Sequence, residues 1–456
     1  MTWRGFRVLI AIILIALLCK ACLVKDTVPN NQKRIQTESD KLQVNYPAPK
    51  NVTINGIDYL ESTAPIGKFG GELVSSTIGE GPKTFNPFNC KDNTSQTMAS
   101  IMYDGLLTSD PITGQPTPKL AKSFSISPNG KTYTIKLRCG IKWSDGKPIT
   151  ADDVVFTWND IIFAGLGDTS TRDSIVIDGK LPTVKKIDNY TVEFTTPKPF
   201  APFIRMLSTS IAPKHVFMPA IKKGSAYFDS FLSTNTKPSD FVVSGAFKLK
   251  EYVPAQRVVF ERNPNYYEIN SKGQKLPYLD KLVYLIVGDL NNEVLKFEAK
   301  ELDVISLQGS KVARYKSLEP HSDFKLYNLG PDTGTMYLSM NLNNRKNNKG
   351  KYYVDPDKQM WFQDLDFRKA VDYAIDRKNM VLNIANGIGA PLFTPESLNS
   401  IYLNKNLKPY DKDLNKSKQL LKKSGFYLDK KGKLFDKHGH RVEFDLYTNA
   451  GNTERE

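Results

Sequence analysis

The run Cys90-Lys91-Asp92-Asn93 brings two opposite charges and an amide together after the turn-forming Asn86-Pro87-Phe88. Asp92 has the chemistry to pair with a ligand ammonium and Lys91 with a carboxylate. That is binding chemistry. Catalysis finds no comparable foothold, because the chain has no G-x-S-x-G elbow, no H-E-x-x-H pair and no P-loop. The histidines are His215, His321, His438 and His440. His438 and His440 flank Gly439 at i,i+2, which reads as a solvated turn, so neither a metal nor a cofactor is expected. Asp152 and Asp153 form an acidic pair, but Thr150 precedes them at capping-box spacing and assigns them to a helix start.

The formal net charge is +15, from 63 basic and 48 acidic residues. The excess gathers late: between Lys405 and Arg441 twelve Lys or Arg face four Asp. No aromatic-rich nucleic-acid motif accompanies the charge, so nucleic acid is not an expected partner and the stretch reads as a Lys-rich solvated face. Cys90 and Cys139 lie well inside the chain, and the sequence leaves a bridge and two free thiols equally open.

The elements that must position these residues are interleaved strands and helices, with no solenoid repeat. Strands are expected at Glu72 to Ile78, Thr191 to Thr195, Ala246 to Tyr252, Arg257 to Arg262, Lys281 to Val287 and Val442 to Tyr447. Tyr133, Ile135 and Leu137 alternate with polar residues after Asn129-Gly130, which predicts a hairpin with a type I′ turn. Helical spacing runs from Thr97 to Leu107, from Asp366 to Asn386 as one helix, and from Leu414 to Ser424, stopped by Gly425.

Arg4 and Arg7 precede an unbroken apolar run of eleven residues, Val8 to Leu18. A bilayer span needs about 20 apolar residues, so 1–21 reads as a secretory signal peptide. Cys22 follows Ala21 and is the candidate lipid-attachment site, although Cys19 and Lys20 fit a lipobox imperfectly. An ordinary signal peptide on a soluble secreted protein is the alternative. The polar, Pro-punctuated stretch 22–68 is expected to be a flexible tether.

Several runs then fall in one collinear order: Tyr103-Asp104-Gly105-Leu106-Leu107, Leu120 to Phe124 (LAKSF), Asn129 to Trp158 (NGKTYTIKLRCGIKWSDGKPITADDVVFTW), Gly245 to Pro254 (GAFKLKEYVP), Glu261 to Tyr267 (ERNPNYY), Arg368 to Arg377 (RKAVDYAIDR) and Leu420 to Phe426 (LLKKSGF). In these runs the chain resembles the family 5 extracellular solute-binding proteins, the peptide- and nickel-binding components of ABC importers. The resemblance covers Gly70 to the end. It implies an α/β, two-lobed periplasmic-binding-protein-like clamp of the large, type II-like kind, with three discontinuous domains. These would be 69–87 with 211–307, then 88–210, then 308–456. Members of the family continue beyond the position matching Glu456, so the second lobe is expected to be incomplete, as in a fragment or a truncated gene.

The resemblance also implies a function and a site. A non-enzymatic, exported protein would capture peptides by lobe closure and pass them to permease subunits at the membrane, held there by the lipid anchor. Nickel, haem or an oligosaccharide are alternative ligands, a non-transporting fragment is another reading, and a secreted hydrolase is the reading from another class. Cys90, Lys91, Asp92 and Asn93 would lie near the ligand cleft, Ser244 and Gly245 near the interlobe crossing, and Asn341 at the lobe boundary. Asn449 and Asn452 fall in a cleft loop where some oligopeptide-binding relatives place a carboxylate for the ligand ammonium. Here the loop reads NAGN, with amides and no acid.

Overall fold

Glu72–Ile78 and Lys281–Val287 pair in parallel from Glu72 opposite Lys281 to Ile78 opposite Val287, although some two hundred residues separate them in sequence. The computed structural model in which this is seen describes residues 48–455 except 111, 112, 331–333, 399, 401, 408, 409, 449, 453 and 454. Cys22 and Asn449 therefore lie outside the described residues.

The chain divides into two units. The larger comprises Asn45–Leu307 with Asp445–Glu456, and the smaller Gln308–Phe444. No helix among the described residues is long and apolar enough to cross a membrane.

The larger unit contains two four-stranded sheets. The first runs Phe247–Val253, Arg257–Arg262, Lys281–Val287, Glu72–Ile78. Its core holds Phe85, Met98, Met102, Phe217, Phe228 and Phe260. The second is wholly antiparallel and runs Ala121–Ile126, Thr132–Leu137, Thr191–Thr195, Thr183–Asp188. The alternation in Thr132–Leu137 buries Tyr133, Ile135 and Leu137 while Lys136 faces solvent. Trp143, Trp158 and Phe194 complete that core, and each large side chain so buried stabilises by about 2–3 kcal/mol. Asp153 begins the Ala151–Phe156 helix as expected, its carboxylate accepting from the Thr150 N–H at 2.9 Å.

The smaller unit packs Trp361, Phe362, Phe367 and Phe426 together. The Leu414–Lys423 helix lies on the Leu365–Ala374 helix, where the Ser417 hydroxyl donates to the Ala370 carbonyl at 2.7 Å. Gly425 follows the helix with φ +85°, the left-handed geometry expected of it.

Five local expectations change. The helix expected from Thr97 to Leu107 spans Asn93–Met102, with Tyr103 extended beyond it and Leu107 opening a short strand. The stretch 22–68 is not tether throughout: Lys50–Ile54 and Ile57–Glu61 form a hairpin that joins Glu268–Ile269 in a three-stranded sheet. The hairpin turns on Asn55 and Gly56, both at positive φ, which is the two-residue geometry that Asn-Gly favours. At Ser127–Thr132 that geometry is absent. Only Gly130 has positive φ, and its N–H closes a turn on the Ser127 carbonyl at 2.8 Å with Pro128 at the second position. Proline's fixed negative φ suits a type I turn there. The expected single helix over Asp366 to Asn386 is two, Leu365–Ala374 and Arg377–Ile384. Ile375 is extended, and the Asp376 carboxylate caps the second helix by accepting from the Asn379 N–H. Finally, 442–447 is not a strand in the described structure. Arg441 bridges Phe435 and the Val442 N–H bonds the Leu434 carbonyl at 2.9 Å, but the pairing ends there, because Leu434–Phe435 is two residues long, and Leu446 and Tyr447 face solvent.

The N-terminal hairpin is fastened by Asp58, which is buried. Its carboxylate accepts from the Thr53 hydroxyl at 2.6 Å, Lys122 Nζ at 2.9 Å and the Cys139 N–H at 3.1 Å. Burial alone would raise the carboxyl, but these donors outweigh it and hold it below its ordinary value. The contribution is therefore full above the unfolded value of about 3.9 and is lost as pH falls through the lower folded value. Asp58→Asn is expected to lower stability at neutral pH by about 1–3 kcal/mol and to flatten the acid limb of a denaturation-against-pH curve. A denaturant titration that leaves both unchanged would show the hairpin to be unfastened.

Candidate functional site

The carboxyl ends of the parallel pair, at Ile78 and Val287, are where an open α/β sheet offers a ligand site. Three loops meet there. Gly79 continues the first strand, its N–H bonding to the Val287 carbonyl at 2.8 Å. The Asn93–Met102 helix starts beside it, since Thr94 Oγ1 lies 3.1 Å from Thr77 Oγ1. Gly451 lies against Gly288, where an added Cβ would come within 2.7 Å of the Gly288 carbonyl oxygen, and its own carbonyl accepts from the Leu290 N–H. Cys90–Asn93 and Asn452 are thus brought to one end of one sheet.

Within this cluster the residues have different tasks. Asp92 caps the helix: its carboxylate accepts from the Ser95 N–H at 2.8 Å and the Ser95 hydroxyl at 2.6 Å. Lys91 and Asn93 are exposed beside it. Cys90 is a free thiol, as is Cys139. The Cys90 Sγ donates to the Asn86 carbonyl at 3.1 Å, and burial, followed by the charges of Asp92 and Asp168, pushes its pKa up to about 12. The loop is bolted from behind by Asn86, which donates to the Phe231 carbonyl at 3.1 Å, and by Asn89, which donates to the Phe228 carbonyl at 2.9 Å.

Ser244 and Gly245 sit at the other end of the same helix. Their N–H groups both bond to the Met102 carbonyl, at 3.1 and 2.7 Å, and the Ser244 hydroxyl accepts from the Asp104 N–H at 2.9 Å. Gly245 has no room for a side chain, because a Cβ would meet the Ile101 carbonyl oxygen at 2.4 Å. A ten-residue helix is about 15 Å long, so this pair stands apart from the Cys90–Asn93 cluster. Asn341, in the smaller unit, is exposed and forms a local turn, its side-chain oxygen accepting from the Asn343 N–H at 3.0 Å.

Sequence reasoning missed a part-buried polar cluster next to Ser244. Lys119 Nζ bonds Glu268 and the Tyr266 hydroxyl and lies 3.9 Å from Asp104. The Tyr267 hydroxyl donates to Asp104 at 2.8 Å. Burial alone would lower the Lys119 pKa, but the neighbouring acidic groups more than offset it, so the ammonium is held charged. Burial raises the Asp104 carboxyl. The signal was spread over Asp104, Lys119 and Glu268, with no local spacing to tie them together. Among the described residues no group of His, Cys, Asp and Glu is arranged to hold a metal ion.

The fold is the mixed α/β architecture of the periplasmic-binding class. Residues 115–456 match the bacterial extracellular solute-binding proteins, family 5, in that family's middle region, and the chain belongs to this family. It is 32% identical over 388 residues to a probable ABC transporter-binding protein of Deinococcus radiodurans, covering 82% of this chain and 63% of that protein. It is 30% identical over 331 residues to the periplasmic alpha-galactoside-binding protein of Rhizobium meliloti, covering 68% of this chain and 46% of that one. The chain therefore spans less than two thirds of the length of either relative. Among solved structures, the oligopeptide-binding protein AppA of Bacillus subtilis in complex with a nonapeptide superposes with a TM-score of 0.63 at 26% identity, covering 82% of this chain and 68% of that one.

Removing one partner from a fully buried charged pair costs about 3–5 kcal/mol, and the 20% and 19% exposure of the Lys119 and Glu268 side chains brings the cost to the low end of that range. Lys119→Ala is expected to lower stability by that amount, measured by denaturant unfolding. The raised thiol predicts that Cys90 resists alkylation at neutral pH in the folded protein and reacts once it is unfolded. Rapid labelling of the native thiol, located by peptide mass, would contradict the burial.

Proposed function

We propose that this chain is the extracytoplasmic substrate-binding protein of an ABC importer, capturing peptides by lobe closure and delivering them to the membrane permease. The observation that carries the reading is the likeness to the nonapeptide complex of the Bacillus subtilis protein, over 82% of this chain. Extended peptides are gripped largely through main-chain hydrogen bonds, which a strand-end site lined by backbone loops suits. Lys91, Asn93, Asn449 and Asn452 are the proposed ligand contacts, while Cys90 and Asp92 hold the loop that presents Lys91 and Asn93. The domain scheme accompanies this reading: 69–87 with 211–307, 88–210, and 308–456. So does attachment to the membrane through an acylated Cys22 after removal of 1–21.

Peptide binding to the folded chain raises its stability by about 2.7 kcal/mol at a hundredfold excess over Kd. The purified chain is expected to melt higher with a mixed peptide pool. Because the loop carries amides and Asp92 is engaged in capping, N-acetylated and free peptides are expected to bind within about tenfold of each other. The Rhizobium meliloti relative favours a second reading, an oligosaccharide ligand. A shift with alpha-galactosides and none with any peptide would replace the first reading by the second. For the anchor, Cys22→Ala is expected to abolish metabolic labelling with a fatty acid. Persistent label would move the attachment to Cys19.

A further inference from the structure

Between Leu414 and Lys437 the smaller unit carries eight lysines and two aspartates. The segment is rigidly mounted. Phe426 is buried in the core, and buried Asp436 accepts from Trp361 Nε1 at 2.9 Å. Its outer side is a short hairpin, Tyr427–Leu428 paired with Leu434–Phe435. Tyr427 and Leu428 are 50% and 55% exposed, and the tyrosine ring stacks on Phe435 with centroids 5.7 Å apart. At the tip, Asp429 accepts the N–H groups of Lys431 and Lys433, both at 2.8 Å, which turns the chain and leaves the lysine side chains outside.

The charge is not balanced within the protein. Lys412 pairs with Asp376 and Lys423 with Asp366. Lys416, Lys418, Lys422, Lys430, Lys431, Lys433 and Lys437 are exposed and make no ion pair among the described residues.

We infer that this helix and hairpin form a docking surface for an anionic phospholipid bilayer, with Tyr427 at headgroup depth and the neighbouring lysines on the lipid phosphates. An exposed tyrosine on a lysine-rich hairpin is interfacial chemistry. The ring sits at the headgroup level, and lysine stems cover apolar surface while their ammonium groups stay wet. Each lysine near an anionic surface strengthens binding about fivefold. The all-lysine composition fits a bilayer, which accepts point charges at any spacing. Phosphate read at fixed geometry, as in nucleic acid, favours arginine and stacked aromatics. The inference does not rest on the ligand reading, and it holds with or without an acyl group at Cys22.

The test uses the chain without 1–21 and carrying Cys22→Ala, so that neither the apolar run nor an acyl group contributes, and vesicles of phosphatidylcholine with or without phosphatidylglycerol. Co-sedimentation is expected to be at least about tenfold stronger on the phosphatidylglycerol vesicles and to vanish at high salt. Combined Lys430→Glu, Lys431→Glu and Lys433→Glu is expected to reduce it to the phosphatidylcholine level. Lys222→Glu, Lys223→Glu and Lys237→Glu, the same charge change in the other unit, is expected to leave it intact. If the first triple lowers the melting temperature, Lys→Gln at the same three positions reads the same effect. Equal binding to both vesicles, retention in the first triple, or equal loss in the second overturns the inference. Tighter binding to duplex DNA than to anionic vesicles at one ionic strength also overturns it and assigns the patch to nucleic acid.

Discussion

The ammonium of Lys119 has to be paired wherever the chain buries it, and the larger unit is arranged so that it is. Lys119 stands just before the second sheet, Asp104 just after the Asn93–Met102 helix, and Glu268 in the small sheet that holds the N-terminal hairpin. Three separate stretches therefore converge on one cation. Desolvating such groups costs several kcal/mol per ion, so the cluster is poor value as a source of stability. Its consequence is geometric. An arrangement that moved any of the three would strand a charge in a core that already holds Trp143, Trp158 and Tyr267. Asp58 repeats the logic on a smaller scale, fastening the hairpin to Lys122 and Cys139.

The runs that carry the family resemblance prove to be the runs that lock this framework. In ERNPNYY, Asn263 donates to the Gly245 carbonyl at 2.8 Å, Asn265 donates to the Trp143 carbonyl at 3.0 Å, and the two tyrosines close the Lys119 cluster. In Tyr103-Asp104-Gly105, the tyrosine fills the first core, the aspartate joins the cluster, and a Cβ on the glycine would meet the Ser208 carbonyl oxygen at 2.3 Å. Such runs identify a fold because the fold needs them. For the same reason they say little about what is bound.

This explains what was legible in the sequence. Strands with a partner and a buried face were plain: Glu72–Ile78, Arg257–Arg262 and Lys281–Val287 fall where alternation and turn residues put them. Local signals failed where a competing interaction decided the outcome. Asp376 is a better cap than a helix-interior residue, so one expected helix became two. Pro128 forced a type I turn where Asn129-Gly130 alone argued for its mirror image. Val442 to Tyr447 has a strand's pattern, but its neighbour Leu434–Phe435 is too short to pair beyond Val442, and a pattern alone makes no ladder. The Asn55-Gly56 hairpin was overlooked because the prolines around it suggested a tether. The candidate site was partly legible. Cys90–Asn93 and Asn452 do come to one sheet end, yet Asp92 proves to be a cap, a role that its place before Asn93-Thr94-Ser95 already allowed.

Asp92 also shows why ligand chemistry is the hardest step to read. A carboxylate that serves a helix terminus has its oxygens occupied by Ser95, and a charge so used is less available to a ligand. With Asn452 contributing an amide, the groups gathered at the carboxyl ends of the two parallel strands are mostly neutral donors and acceptors, with Lys91 exposed at the margin. Neutral groups discriminate by hydrogen-bond geometry, and both a peptide backbone and a sugar hydroxyl present donors and acceptors in alternation. Two relatives named for different ligands are consistent with a shared framework of this kind. On the proposed reading, the difference between ligands lies in the few side chains that project from the strand-end loops, while the close-packed glycines of those loops stay indifferent to what is held.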